Sequence, residues 1–182
     1  MAPRLGHSAV LLAGGRSARF GSDKLLAPVA GAPLIVHSVR GALAMFQEVV
    51  LVAKEPEKYR AALEAAGLTA LLRSSALLLR TDLSPRATPL AGLEAGLAVA
   101  RSEACFVCAA DMPLAANAPL LDALTAALPG HDACAARFAG VVQPLAALYR
   151  RLPCLAAAGA LLTRTAAGPR LLLERVDACF ID

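Results

Sequence analysis

The chain has 182 residues, 58% hydrophobic and 18% charged, with a formal net charge of +4. This length suits one folded unit with a sizeable core, and the apolar content excludes intrinsic disorder. Aromatic residues make up only 4%, Trp is absent and no Lys/Arg-rich run occurs, so a nucleic-acid partner is not expected, whereas the modest positive balance suits small anions.

Met-Ala-Pro-Arg-Leu-Gly-His at the N-terminus lacks the apolar core and cleavage pattern of a signal peptide, and a cytoplasmic protein is the expectation. Residues 8–13 form a short apolar run ending at Gly14-Gly15, which predicts a first strand buried on both faces. Residues 14–24 are polar and contain glycine, which predicts a loop. The longest uncharged stretch, residues 25–39, is interrupted by Pro28, Gly31 and Pro33. A membrane span needs about 20 mostly apolar residues, so none is expected.

Helical apolar spacing over residues 34–46, just after Pro33, predicts a helix, and residues 48–53 (EVVLVA) predict a second strand. Residues 55–66 read as an amphipathic helix with Pro56 in its first turn and Gly67 as its stop. A third strand is expected at residues 68–72. Residues 74–88 give no clear element, and their end, residues 81–88, reads as a loop. A helix follows at 89–101, a buried strand at 103–110, and a helix at 119–128 stopped by Pro129-Gly130. Strands are expected at 132–138 and 142–149, then mostly helix from residue 150 and a last strand near 178–181. Alternating strands and helices, with early strands apolar on both faces, imply a three-layer α/β fold around a mostly parallel sheet.

Such sheets bind ligands beyond the carboxyl ends of their strands. The first candidate there is the segment from Leu12 to Lys24, which holds Ala13, Gly14, Gly15, Arg16, Ser17, Arg19 and Gly21. Glycines let backbone amides approach phosphate oxygens closely. Arg16, Arg19 and Lys24 add three positive charges within nine residues, enough to cradle a triphosphate, with Lys24 as a point charge. The spacing is neither GxxxxGK[ST] nor GxGxxG. An ordinary strand-to-helix loop with solvated arginines is the alternative. The basic residues are otherwise arginine, lysine occurring only at 24, 54 and 58, so a lysine inside a motif carries extra weight.

The second candidate is Asp111 in Ala109-Ala-Asp-Met-Pro. A carboxylate at a buried strand's end suits Mg²⁺, and a helix N-cap is the competing reading. The third is Asp82 together with the helix start Thr88-Pro89-Leu90-Ala91-Gly92. Gly92 and Gly96 share one helix face, which permits close approach of the sheet or of a base. Cys105 and Cys108 have CxxC spacing, but on a strand they point to opposite faces and read as buried, reduced core residues. His7, His37 and His131 are scattered and read as structural or solvent-exposed.

Taken together, LAGGRSARFGSDKLL, TPLAGLEAGL, AADMPL and VQPLAALY resemble the molybdenum cofactor guanylyltransferases, in the same motif order and over roughly residues 8–182. The resemblance implies a single domain, residues 1–182, with the Rossmann-like fold of nucleotide-diphospho-sugar transferases. It implies transfer of GMP from GTP to molybdopterin, with molybdenum bound, giving molybdopterin guanine dinucleotide and pyrophosphate with Mg²⁺ as cofactor. Leu12, Ala13 and Gly14 would meet the nucleotide through backbone, Arg19 and Lys24 would hold phosphates, Asp82 would bind the guanosine portion, and Asp111 would hold Mg²⁺. Gly15, Arg16, Ser17, Gly21, Pro89, Leu90 and Gly92 complete the nucleotide-binding set. Transient contact with other molybdenum cofactor proteins is the partner expectation. Two alternatives stand beside it: a molybdopterin cytidylyltransferase or other small-metabolite nucleotidyltransferase, and a non-catalytic nucleotide- or cofactor-binding accessory protein. Relatives often carry Asn after the second strand, where this chain has Val52-Ala53-Lys54, and often continue past Phe180-Ile-Asp182 with Asn-Thr-Pro.

Overall fold

The computed structural model describes residues 5–14, 23–82, 88–164 and 167–182. Strand β1 is Leu5–Leu12. A 3-10 turn at Lys24–Leu26 and a small hairpin, β2 (Pro28–Val29) with β3 (Ala32–Pro33), precede helix α1 (Leu34–Met45) and strand β4 (Phe46–Ala53). The single helix expected over 55–66 divides into a 3-10 turn at Pro56–Tyr59 and α2 (Arg60–Ala65), and Gly67 stops it with a φ of 81°.

The strand expected at 68–72 is instead helix α3 (Thr69–Arg73). Ala70, Leu71, Leu72 and Arg73 are strong helix formers, and this propensity outweighs the short apolar run. The third strand is β5 (Leu77–Thr81), inside the stretch where sequence indicated no element. Three leucines in a row show neither a strand period nor a helix period. Only pairing with β4, from Val49↔Leu77 to Ala53↔Thr81, makes them a strand. The remaining elements fall close to expectation: α4 (Pro89–Val99), β6 (Ala104–Ala109), α5 (Ala118–Ala127), β7 (Ala133–Phe138), β8 (Val141–Arg150), α6 (Arg151–Arg164), α7 (Pro169–Arg175) and β9 (Ala178–Ile181).

The main sheet has the order β5-β4-β1-β6-β8-β7-β9. Strand β1 runs parallel to β4 and to β6, β4 parallel to β5, and β7 parallel to β9, while β8 runs antiparallel to both β6 and β7. Alternate residues of each central strand enter different cores. Ala9, Leu11, Val49, Leu51, Phe106 and Cys108 face α1, α2 and α5, and the Phe46 and Phe106 rings stack there at 5.8 Å. Val10, Leu12, Val50, Val52, Cys105 and Val107 face α4, α6 and α7. Cys105 and Cys108 therefore point to opposite faces, and burial pushes both thiols up to about 12, so they stay protonated. Among the described residues no helix is long and apolar enough to cross a membrane.

At the amino ends of the strands, Glu48 is buried and accepts from Ser8 Oγ, from the Arg101 amide at 2.9 Å and from Arg101 Nε at 2.6 Å. That network ties β1, β4 and the chain entering β6, at the end away from the candidate site.

The glycines of α4 let it lie directly on β1 and β4. A Cβ on Gly96 would overlap Val10 Cγ1 and stand 3.1 Å from Val10 Cγ2, whereas one on Gly92 would meet only Leu12 Cδ2 at 3.3 Å and Val52 Cγ1 at 3.8 Å. Val10 is stiff and fully buried, while the Leu12 methyl is the far end of a flexible side chain. Gly96→Ala is expected to cost about 1–3 kcal/mol and Gly92→Ala clearly less. Thermal unfolding of the two variants checks the ranking.

Candidate functional site

The strand order reverses between β1 and β6. The chain passes from β1 outward through β4 and β5, then returns through α4 to β6 on the other side of β1. The strand ends are level there, with Leu12 opposite both Val52 and Ala109. A reversal of this kind opens a crevice beyond the carboxyl ends of the two central strands. Lys24 and Asp111 meet in it, Lys24 Nζ pairing with Asp111 Oδ2 across 87 positions of sequence. Their side chains are 42% and 34% exposed, so the pair is open to a ligand.

Each partner is held by its own local structure. Lys24 opens the 3-10 turn, whose Leu25 side chain is buried in the core. Asp23 caps that turn, its Oδ1 accepting from the Leu25 amide at 3.1 Å. Asp111 follows Ala110, whose carbonyl accepts a 2.6 Å hydrogen bond from the buried Ser38 hydroxyl of α1. Gly41 lies one turn further along α1, and a Cβ there would come within 2.9 Å of the Pro113 carbonyl. Helix α1 thus seats the Asp111 turn from below, and neither Ser38 nor Gly41 was marked by any motif.

A second pair stands at the ends of β4 and β5. Lys54 Nζ lies 3.1 Å from Asp82 Oδ2 and donates to the Asp82 carbonyl at 3.1 Å. The Asp82 side chain is 10% exposed, and its amide continues the sheet by donating to Ala53 O at 2.9 Å. The third pair joins Lys58 Nζ to Asp23 Oδ2 at 2.7 Å, and the Tyr59 hydroxyl donates to the same oxygen at 2.9 Å. All three lysines of the chain therefore reach aspartates beyond the carboxyl ends of β1 and β4. The scarcity of lysine was the signal that could have marked Lys54 and Lys58 as candidates. Asp23 stands beside Lys24 in the first motif, whereas Tyr59 had no signal.

Of the other residues expected at the site, Leu12 ends β1 and its carbonyl accepts from the Ala110 amide at 3.0 Å, while the Ala13 amide donates to Val52 O at 2.8 Å. With the Ala13 amide committed to the sheet, Gly14 is the first amide of this segment beyond the ladder, and it is exposed. Pro89 is exposed at the start of α4, behind the Thr88 cap, whereas Leu90 is fully buried and Gly92 packs on Leu12 and Val52. Gly15, Arg16, Ser17, Arg19 and Gly21 lie outside the described residues. His37 Nε2 is 2.6 Å from the Val29 carbonyl and His131 Nδ1 3.1 Å from Asp177, contacts that serve the fold.

The chain is thus a three-layer α/β fold with a lysine–aspartate pair at the reversal of its strand order. The family model for the MobA-like NTP transferase domain matches residues 9–179, and the chain belongs to that family. It is 34% identical over 151 residues to a protein of Methanosarcina acetivorans named probable molybdenum cofactor guanylyltransferase, an alignment covering 80% of this chain and 64% of the relative. It is 32% identical over 148 residues to a protein of the same name from Natronomonas pharaonis, covering 81% and 69%. The alignments thus span about two thirds of the length of these curated relatives. Among solved structures, the molybdopterin-guanine dinucleotide biosynthesis protein A of Archaeoglobus fulgidus superposes with a TM-score of 0.71 at 24% identity, covering 96% of this chain and 82% of that one. That similarity carries the fold.

Burial works to raise the Asp23 carboxyl, but hydrogen bonds from Lys58, the Leu25 amide and Tyr59 outweigh it and hold the group below the usual carboxylate value. A depressed carboxylate contributes stability in full above its unfolded value, near pH 4, and loses it as the pH falls through the native value. Asp23→Asn should therefore melt lower than the parent at pH 6–7, and the gap should close as the pH drops below about 4. Melting temperatures of both proteins across that range check this.

Proposed function

We propose that this chain transfers GMP from GTP to molybdopterin, giving molybdopterin guanine dinucleotide and pyrophosphate. The observation that carries the reading is the Lys24–Asp111 pair at the strand-order reversal, beside the Gly/Arg segment that resembles the phosphate loop of these enzymes. The names of the relatives support the choice of guanine and of a molybdopterin acceptor. A cytoplasmic setting and small-molecule substrates follow from it.

Among the described residues no group of three or more His, Cys, Asp or Glu side chains gathers to cage a metal. One exposed carboxylate, Asp111, faces the crevice beside Lys24. That donor set fits Mg²⁺, which keeps several waters and takes its other ligands from substrate phosphates. Asp111 would hold the ion, which when bound neutralises phosphate charge. Lys24 exchanges Asp111 for a triphosphate oxygen, and Arg19 holds a neighbouring oxygen. Asp82, steadied by Lys54, takes the guanosine portion.

In this reaction a terminal phosphate oxygen of molybdopterin attacks the α-phosphorus of GTP in line. A new P–O bond forms, the bond from the α-phosphorus to the bridging oxygen breaks, and pyrophosphate leaves with the electron pair. The nucleophile is already an anion near neutral pH, so no general base is needed. The chain's contribution is positioning and stabilisation of charge developing on the leaving oxygen.

Because the Lys24–Asp111 pair is exposed, its loss should change stability by no more than about 1 kcal/mol. Asp111→Ala is expected to melt near the parent temperature yet lose about 100-fold or more in turnover, measured as pyrophosphate release. Near-normal turnover would remove Asp111 from the reaction. Lys24→Ala should weaken binding of GTP with Mg²⁺ in calorimetry, and unchanged affinity would remove Lys24 from the site. Pyrophosphate release assayed with each of the four triphosphates and molybdopterin tests the base. Release with CTP alone would make this a cytidylyltransferase, and GTP binding without release would make it an accessory protein.

A further inference from the structure

We infer that Tyr59 is a positioning residue for Lys24, acting through Asp23; this rests on the reading of Lys24 as the triphosphate-binding amine. Tyr59 is 1% exposed and belongs to the core on the face of the sheet covered by α1, α2 and α5. Its hydroxyl donates at 2.9 Å to Asp23 Oδ2, 36 positions away. Tyr59 lies after β4 and Asp23 follows the loop after β1, so this bond bridges two separate connections at the site end of the sheet.

The chain of contacts from Tyr59 to Lys24 is short. Asp23 Oδ2 is fixed by Tyr59 and by Lys58, and its Oδ1 caps the 3-10 turn through the Leu25 amide. The Leu26 amide returns to the Asp23 carbonyl at 2.9 Å and the Ala27 amide to the Lys24 carbonyl at 3.2 Å. The turn has only three residues, so one displaced cap shifts the Cα of Lys24 itself. A lysine side chain has many rotamers, and a fixed starting point reduces the freedom its amine must lose on meeting a phosphate.

The chemistry of the two partners suits a strut. Burial and the Asp23 carboxylate push the Tyr59 hydroxyl well above its ordinary value, so it remains a donor throughout the working range. Asp23 is held below its ordinary value, so it remains an acceptor. Lys58 Nζ also lies 5.0 Å from the centre of the Tyr59 ring, so all three side chains form one unit. None of the three needs to touch the reacting atoms.

The test is a double-mutant cycle of Tyr59→Phe and Lys24→Ala on the full chain, with melting temperature recorded for each protein. Phenylalanine keeps the buried ring and removes only the donor. Two readouts are taken: kcat and KM for pyrophosphate release from GTP with molybdopterin, and calorimetric affinity for magnesium tripolyphosphate, which needs no turnover. Tyr59→Phe should lower kcat/KM and tripolyphosphate affinity about threefold to tenfold, the size of one net hydrogen bond, and should have no further effect once Lys24 is alanine. Asp23→Asn, whose amide nitrogen cannot accept from Tyr59 or Lys58 and so leaves the turn cap unbraced, should reproduce the loss. An equal loss in both Lys24 backgrounds, or none in either, overturns the inference, since a merely structural tyrosine gives the first and an idle one the second. If the parent releases no pyrophosphate with any triphosphate, the proposed function fails, and tripolyphosphate affinity still decides whether Tyr59 positions Lys24.

Discussion

Everything at the site depends on β1 being buried on both faces. Ala9, Val10 and Leu11 have essentially no exposure, so this strand can exist only inside the sheet with helices above and below. Two parallel neighbours then saturate its backbone, and the chain can turn only beyond its carboxyl end. Because β4 and β6 take the two sides, the order must reverse at β1, and two connections of distant origin are brought to one crevice. The Lys24–Asp111 pair follows from that constraint.

The three lysine–aspartate pairs differ in burial, and the difference sorts their roles. Lys24 with Asp111 is exposed on both sides, and in water such a pair gains little from itself. It is easily exchanged for stronger partners such as phosphate. Lys54 with Asp82 and Lys58 with Asp23 each join an exposed amine to a largely covered carboxylate. A covered carboxylate needs its partners continuously, so these pairs are fixtures. The fold thus places one exchangeable pair at the crevice and two permanent ones beside it.

Much of the architecture was legible in the sequence, because a parallel sheet writes its strands as apolar runs and punctuates them with Gly and Pro. Strands β1, β4 and β6 and helices α1, α4 and α5 stand within a few residues of expectation. The failures, α3 and β5, lie at the sheet edge, where burial is partial and the apolar pattern has little to report. Lys24, Asp82 and Asp111 were legible as candidates because glycine, a scarce lysine and a carboxylate at a strand end are unusual neighbours. Ser38, Gly41 and Tyr59 were not, because a serine, a glycine or a tyrosine in a helical stretch looks the same whether or not it holds a distant loop.

By itself the sequence determined the layered α/β class, the separation of the two core faces and the end of the sheet at which the candidate residues gather, since these follow from local periodicity and from turn chemistry. Only the tertiary structure decided that Gly92 and Gly96 serve packing, that Asp82 is held by Lys54, and that the Lys24 turn is braced by Asp23 and Tyr59. The physical reason is range: periodicity acts over a few residues, whereas Lys54 and Asp82 are 28 positions apart and Tyr59 and Asp23 are 36, and nothing in a linear pattern encodes which of many distant side chains the folded sheet will bring into hydrogen-bond distance.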